Sequence, residues 1–257
     1  MPESPPLKAW LERDGALLRL RLARPKANIV DAAMIAARER AFAEHAGGAR
    51  LRGALIDHEG PHFSFGASVE EHLPGQCAAM LKGLHALLLR MLEWPAPILV
   101  AIRGQCLGGG LELASAGSLL FAAPDAQFGQ PELKLAVFAP AASVLLPARI
   151  GQARAEDLLF SGRSIDAATA LAWGLVGELA ADPAAAALAY FDAQLATKSA
   201  SSLGYALRAV RAPLVGQAKR RFAEVEALYL EGLMHTRDAV EGLQAFLDKR
   251  PPQWQHR

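Results

Sequence analysis

Apolar and polar residues alternate over residues 17–23, with Leu18, Leu20 and Leu22 on one side and Arg19 and Arg21 on the other. A period of two marks a half-buried strand. Residues 51–57 read as a second strand, and the β-branched run 97–102, bounded by proline and glycine, as a buried one. Residues 118–122 read as another short strand. Helical spacing appears over 32–46, where Asp31 stands ready to cap, and over 76–92, closed by Trp94 and Pro95. From residue 143 onward the pattern is helical except around 175–179, with helices expected near 182–195, 213–231 and 237–249. Repeated strand-then-helix units argue for an α/β fold, either a ββα spiral or an open sheet. Periodicity does not choose between them.

The chemistry concentrates in residues 97–132. Gly108, Gly109 and Gly110 stand between the buried strand and strong helix formers, so they sit where a helix begins. The first amides of a helix are unpaired donors at the positive end of its dipole. Glycines let a ligand approach them closely. The place suits an anion, or an oxygen that becomes anionic during reaction. Glu112 follows on an otherwise apolar helix, and Glu132 comes twenty residues later, after Pro131. On the motif alone, a tight turn is the commoner meaning of three glycines. Glu112 could equally cap a loop amide or pair with Arg103. No Gly-Lys-Ser/Thr follows the cluster, and Gly-x-Gly-x-x-Gly is absent, which excludes a phosphate loop and a dinucleotide fingerprint.

Composition narrows the classes. Hydrophobic residues are 52% and charged residues 21% of 257, a globular balance sufficient for one α/β domain or one with a helical extension. A formal net charge of +1 gives no electrostatic case for nucleic acid or a membrane surface. Two cysteines, Cys77 and Cys106, fit a reducing compartment. With no leader-like pattern over residues 1–6 and no long apolar run, the expectation is cytoplasm. His58, His62 and His72 match no standard metal spacing, so no metal is expected. Ser64 and Ser115 lie in no Gly-x-Ser-x-Gly elbow, which argues against a serine hydrolase.

The segment Gly104 to Leu113 reads G-x-x-x-G-G-G-x-E-L, and Ala126 to Glu132 reads A-x-F-x-x-P-E. Both resemble the signature of the enoyl-CoA hydratase/isomerase (crotonase) superfamily, and the resemblance extends over about 15–250. It implies a crotonase-like ββα spiral with a C-terminal helical trimerisation region, divided as a core of 1–195 and an assembly region of 196–257. It implies an acyl-CoA thioester substrate, no separate cofactor because coenzyme A belongs to the substrate, and a homotrimer or homohexamer. Glu112 and Glu132 become the catalytic acids, and the amides of Ala67 and Gly109 the oxyanion hole. Lys26 and Ala27 fall where the adenine is seated. Phe65, Gly66 and Ser68 belong to the loop similar to F-x-x-G-x-D, with Ser68 a capping substitute for aspartate and Glu70 where a lysine is usual. Gly108 completes the glycine turn. Phe246 and Lys249 stand where a neighbouring subunit reaches the coenzyme, and Ala170, Trp173 and Leu175 are expected in the core.

One departure is informative. Where family hydratases carry a glycine-rich turn, this chain has Val137-Phe138-Ala139-Pro140-Ala141-Ala142-Ser143. Phe138 is expected beside the acyl pocket. Pro140 falls where an amide would help hold water, and proline has none. This stretch, with Arg24 to Asp31, resembles the cyclohexa-1,5-diene-1-carbonyl-CoA hydratase branch of benzoyl-CoA degradation, which adds water across a conjugated cyclic diene. A general enoyl-CoA hydratase and a non-catalytic acyl-CoA-binding relative are the competing readings.

Overall fold

The computed structural model describes residues 5–257, so residues 1–4, part of the stretch read as carrying no leader, lie outside the described residues. Six strands form the main sheet: β1 (Leu7–Glu12), β2 (Leu17–Leu22), β3 (Gly53–His58), β4 (Ile98–Ile102), β6 (Leu119–Ala122) and β9 (Glu178–Leu179), side by side in that order. From β2 onward every pairing is parallel. A smaller sheet joins β5 (Gln105–Leu107), β7 (Gln127–Gly129) and β8 (Ser164–Asp166). After β4 the chain makes β5 and then helix α3 (Gly109–Ser115), and after β6 it makes β7. Successive turns of strand, short strand and helix stack as the expected spiral.

Helices α1 (Ala32–His45) and α2 (Cys77–Glu93) cover one face of the main sheet. Asp31 caps α1 by accepting the Met34 amide at 2.9 Å, as its position predicts. Helices α4 (Pro140–Ile150), α5 (Gln152–Ser161) and α6 (Ala167–Ala172) follow, and α7 (Pro183–Tyr190) packs on the opposite face against Leu55, Leu99 and Phe121. Helices α8 (Ala200–Ala227) and α9 (Arg237–Leu247) complete the chain. Because the strands are parallel, the loops after β3, β4 and β6 emerge at the same end of the sheet. That end is where such folds hold ligands.

Five sequence readings change. Strand β2 is not half-buried: Arg19 is covered as well as the leucines, because α7 closes the second face and Asp57 on β3 accepts from both Arg19 and Arg21. Strand β1 pairs with β2 through a hairpin at Arg13, Asp14 and Gly15, all with positive φ, and its weak alternation hid it. Strand β8, three residues long, lies in a region read as wholly helical. Pro213 does not begin a helix. It sits inside α8, whose start is capped by Ser199; the Ala209 carbonyl loses one bond, and burial of Arg211, Ala218, Phe222 and Val225 holds the helix across the gap. Ala170 and Leu175 are core, while Trp173 is only half-buried, between Arg154 and Arg163. Among the described residues no helix is long and apolar enough to cross a membrane.

Candidate active site

The loop after β3 is pinned from below. Asn28, buried with φ of 45°, donates to the carbonyls of Glu59 and His62 and accepts from the Arg24 amide. Ser64, also buried, donates to Asn28 O at 2.9 Å and accepts from the Gly66 amide at 3.1 Å. The Gly66 carbonyl takes the Val30 amide, and the Phe65 amide goes to Ala27 O. Ser64 bridges in register with Cys106 on β5, which lays this loop along the strand leading into the glycines.

The two loops meet at the glycine cluster. A Cβ on Gly109 would stand 3.0 Å from the Ala67 nitrogen, so the two backbones are in contact. Gly109 is the first residue of α3, and Gly108 before it holds φ 49°, ψ −127°, a conformation open to glycine. Among the described residues neither the Ala67 nor the Gly109 amide donates to any partner. Both donors are therefore available to one oxygen atom placed between them.

Glu132 lies beside the glycine turn, and Glu112 follows it on α3, close enough for its charge to act on Glu132. Glu112, on the first turn of α3, is buried and accepts the Ala142 amide at 2.8 Å. It caps an amide in the first turn of α4 and does not pair with Arg103, which reaches the Ala181 carbonyl. Pro140 is the first residue of α4, where a missing N–H leaves no intrahelical bond unmade. Glu132 lies in the 3-10 turn Pro131–Leu135, with Oε1 2.6 Å from where a Cβ on Gly108 would be. Burial pushes Glu112 up to about 7, against the lowering effect of the Ala142 and Ala141 amides. Burial, then the charge of Glu112, pushes Glu132 up to about 8. The buried Gln130 amide, turned nitrogen-inward, donates to both Glu132 oxygens at 3.0 and 3.1 Å. Turned the other way, it presents its oxygen to a protonated Glu132, so it serves either state.

A cavity of about 60 Å³ opens here; Gly66, Ala67, Gly108, Glu132, His72, Val137 and Leu243 line it, and Gly109 and Glu112 do not. Phe65 also lines it and remains half-exposed. Phe138 does not line it: Val137 faces the cavity, and Phe138 turns to meet the Tyr229 ring edge-on at 5.3 Å. Ser68 makes no side-chain cap; its carbonyl instead accepts from His72 Nδ1 at 2.7 Å. The His72 ring is thereby protonated at Nδ1, kept neutral by burial, and presents Nε2 as an acceptor.

Lys26 is exposed and Ala27 half-buried on the turn between β2 and α1, where the Ala27 carbonyl accepts the Phe65 amide. Phe246 and Lys249 are exposed at the end of α9 and line no part of this cavity. Sequence reasoning missed Gln130, His72, Val137 and Leu243 as site residues. For Gln130 a signal existed, since it directly precedes Pro131 and Glu132. Among the described residues no three His, Cys, Asp or Glu side chains converge as metal ligands. His58 and His62 accept the Arg103 and Gln105 amides.

Two unpaired amides facing a buried acid pair can stabilise an enolate oxygen while moving protons one to two bonds away. Known proteins carry the same arrangement of chain. The family description enoyl-CoA hydratase/isomerase matches residues 12–257. Cyclohexa-1,5-dienecarbonyl-CoA hydratase of Thauera aromatica is 66% identical over 254 residues, 99% of this chain and 98% of that protein. Carnitinyl-CoA dehydratase of Citrobacter koseri is 32% identical over 95% of this chain and 97% of its own. Among solved structures, an enoyl-CoA hydratase from Mycobacterium avium subsp. paratuberculosis K-10 superposes with a TM-score of 0.85 at 24% identity, covering 97% of this chain and 98% of that one. The chain belongs to the enoyl-CoA hydratase/isomerase family, and its fold is the crotonase spiral.

Proposed function

We propose that this enzyme hydrates a conjugated cyclic dienoyl-CoA thioester, converting cyclohexa-1,5-diene-1-carbonyl-CoA to 6-hydroxycyclohex-1-ene-1-carbonyl-CoA in anaerobic aromatic degradation. The observation that carries the reading is the contact of the Ala67 and Gly109 backbones, with both amides free, next to the buried pair Glu112 and Glu132. The ring substrate rests on the 66% identity to the Thauera aromatica hydratase.

In this reading the thioester oxygen lies between the two amides, where each donor lowers the barrier by about 3 kcal/mol, some 100- to 1000-fold in rate. Water adds through oxygen to the ring carbon β to the thioester carbonyl, and the π electrons move onto the carbonyl oxygen. The enolate then returns its electrons through the second double bond, which takes a proton at its far carbon. The acids share one proton at rest, because two buried carboxylates resist ionising together. The Ala142 amide favours charge on Glu112, so Glu112 takes the proton from water. Glu132 holds the shared proton and delivers it to the ring.

The same proposal carries the remaining assignments. Coenzyme A enters as part of the substrate and no other cofactor takes part. Lys26, Ala27, Phe65, Gly66, Ser68 and Gly108 receive the thioester. Residues 196–257 form an assembly region beyond a core of 1–195. There Phe246, exposed on α9, and Lys249, exposed just after it, complete a neighbouring subunit's coenzyme site in a trimer or hexamer. Cys77 and Cys106, both free thiols, suit the cytoplasm.

The test is turnover of the cyclic dienoyl-CoA against crotonyl-CoA by purified protein, with product identification. Faster hydration of crotonyl-CoA overturns the ring substrate and favours a general enoyl-CoA hydratase. Thioester binding with no turnover of either overturns the hydratase. A near-normal rate in Glu132→Gln removes the mechanism.

A further inference from the structure

We propose that the cleft bordered by α4, α8 and the end of α3 binds a small organic monocarboxylate, held by Arg149, Arg211 and Ser118. The site lies outside the hydratase reading and shares no lining residue with the cavity beside Glu132.

The cleft measures about 300 Å³, the lower end of small-molecule pockets. Arg149 from α4 and Arg211 from α8 both line it, with Ser118 just past α3. Each guanidinium is anchored to the carbonyl ends of helices. Arg211, buried, donates through Nη1 to Met91 O at 3.1 Å and Leu92 O at 3.3 Å, in the last turn of α2. Its Nη2 donates to Ala116 O at 3.2 Å. Arg149 Nε donates to Ser115 O at 2.6 Å, and its Nη2 to Gly117 O. The two side chains thus grip the consecutive carbonyls of Ser115, Ala116 and Gly117 and stand side by side.

Helix capping explains those bonds and leaves two things over. The first is charge. A helix C-terminus carries about half a negative charge, so two helix ends offset about one of the two guanidinium charges. No Asp or Glu lines the cleft, and among the described residues neither arginine pairs with a carboxylate. Burial, and for Arg149 the charge of Arg211, pulls both down to about 10, still cationic at neutral pH. The second is unspent donors. Among the described residues Arg149 Nη1 and Arg211 Nε donate to no protein group, and neither is sealed from solvent. The Ser118 hydroxyl accepts the Ile98 amide at 2.9 Å and Arg211 Nη2 at 3.1 Å, which leaves its proton for a third partner.

The leftover charge and donors define the ligand. Guanidinium N–H groups and a hydroxyl match the oxygens of a carboxylate. A surplus of about one positive charge calls for a monoanion, because a second negative charge would face the helix carbonyls. Leu207, Val210 and Leu214 supply an apolar wall, which suits a hydrocarbon body over a bare inorganic ion.

Calorimetric titration of the purified protein with butyrate tests the site, at ionic strength held constant with sodium chloride. Butyramide is the uncharged control and sulfate the dianion. Butyrate should bind saturably, butyramide should not, and sulfate should bind more weakly. With butyrate at ten times its Kd, Tm should rise by roughly 3 °C. Val210, 79% exposed at the mouth, carries the decisive variants. Val210→Glu brings a carboxylate to the arginines and should weaken butyrate roughly tenfold, whereas Val210→Gln should bind within about twofold of wild type. Equal affinity in the two variants overturns the proposal, as does a wild type with no saturable butyrate binding. Sulfate binding as tightly as butyrate overturns the carboxylate assignment. None of these outcomes bears on hydration of a thioester.

Discussion

Gly108 and Glu132 are packed so closely that a methyl group on Gly108 would stand 2.6 Å from Glu132 Oε1. The glycine turn and the acid are therefore one device, although twenty-four positions apart (108 to 132) in the sequence. Gly108→Ala would strain a backbone at φ 49° and push the carboxyl aside. Strain of this kind costs about 1–3 kcal/mol, and a shift of a reacting group by roughly 1 Å costs on the order of 100-fold in rate. The expected outcome is a folded protein with a modestly lower Tm and kcat reduced about 100-fold. Circular dichroism and steady-state rates check it. Unchanged kcat would mean that Glu132 has room the packing denies it.

The acid pair makes stability depend on pH in a stated direction. Burial holds Glu112 near 7 and Glu132 near 8 in the folded protein, above the ordinary 4.5. The folded state then binds more protons than the unfolded state between those limits, so stability falls as pH rises from about 4.5 to about 8. Below that window the contribution is fully present; above it the contribution is lost. The paired variant Glu112→Gln, Glu132→Gln removes both titrations. Its Tm relative to wild type should climb steadily across the window, and parallel curves would show that the acids are not shifted by burial.

What the sequence disclosed follows contiguity. The glycines, Glu112, Pro131 and Glu132 fall within one short stretch, and the Asp31 cap is set by its immediate neighbours. The cavity wall is different. His72, Val137 and Leu243 arrive from three segments, and each alone looks like an ordinary core or loop residue. Phe138 is the reasonable choice for the acyl pocket on size, yet its smaller neighbour Val137 lines the cavity while Phe138 packs on the Tyr229 ring. Arg19 reads as solvent-facing because its partner, Asp57, sits on another strand. Strand β8 has three residues and no period to detect.

Asp57 gives a stability prediction independent of catalysis. It is buried at 4% exposure and accepts from Arg19, itself 5% exposed, and from Arg21 at 2.9 and 2.7 Å. Asp57→Ala leaves the buried Arg19 guanidinium with Glu12, 3.6 Å away, in place of its close carboxylate partner. Breaking a buried pair from one side typically costs about 3–5 kcal/mol. Urea unfolding should report a loss of that order, with little change in KM for any sample that remains folded. A loss below about 1 kcal/mol would place the pair among surface bridges.

Ser64 links the fold to the rate. Its hydroxyl joins the Asn28 carbonyl to the Gly66 amide, and its Cβ fills the space that keeps position 110 a glycine, since a Cβ there would stand 2.6 Å away. Ser64→Ala keeps that Cβ but removes both hydrogen bonds, leaving the buried Gly66 N–H unpaired. Stability should fall by about 1–3 kcal/mol. The Ala67 amide, one residue on, loses the anchor that holds it against Gly109. An oxyanion donor acts mainly in the transition state, so the change should appear in kcat with KM nearly unchanged. Ser64→Thr, if its added methyl is accommodated, should recover most of the rate by restoring the hydroxyl, whereas Ser64→Cys should recover little. If Ser64→Ala loses stability but keeps full kcat, the Ala67 amide is held by the backbone alone, through the bond from Val30 to Gly66.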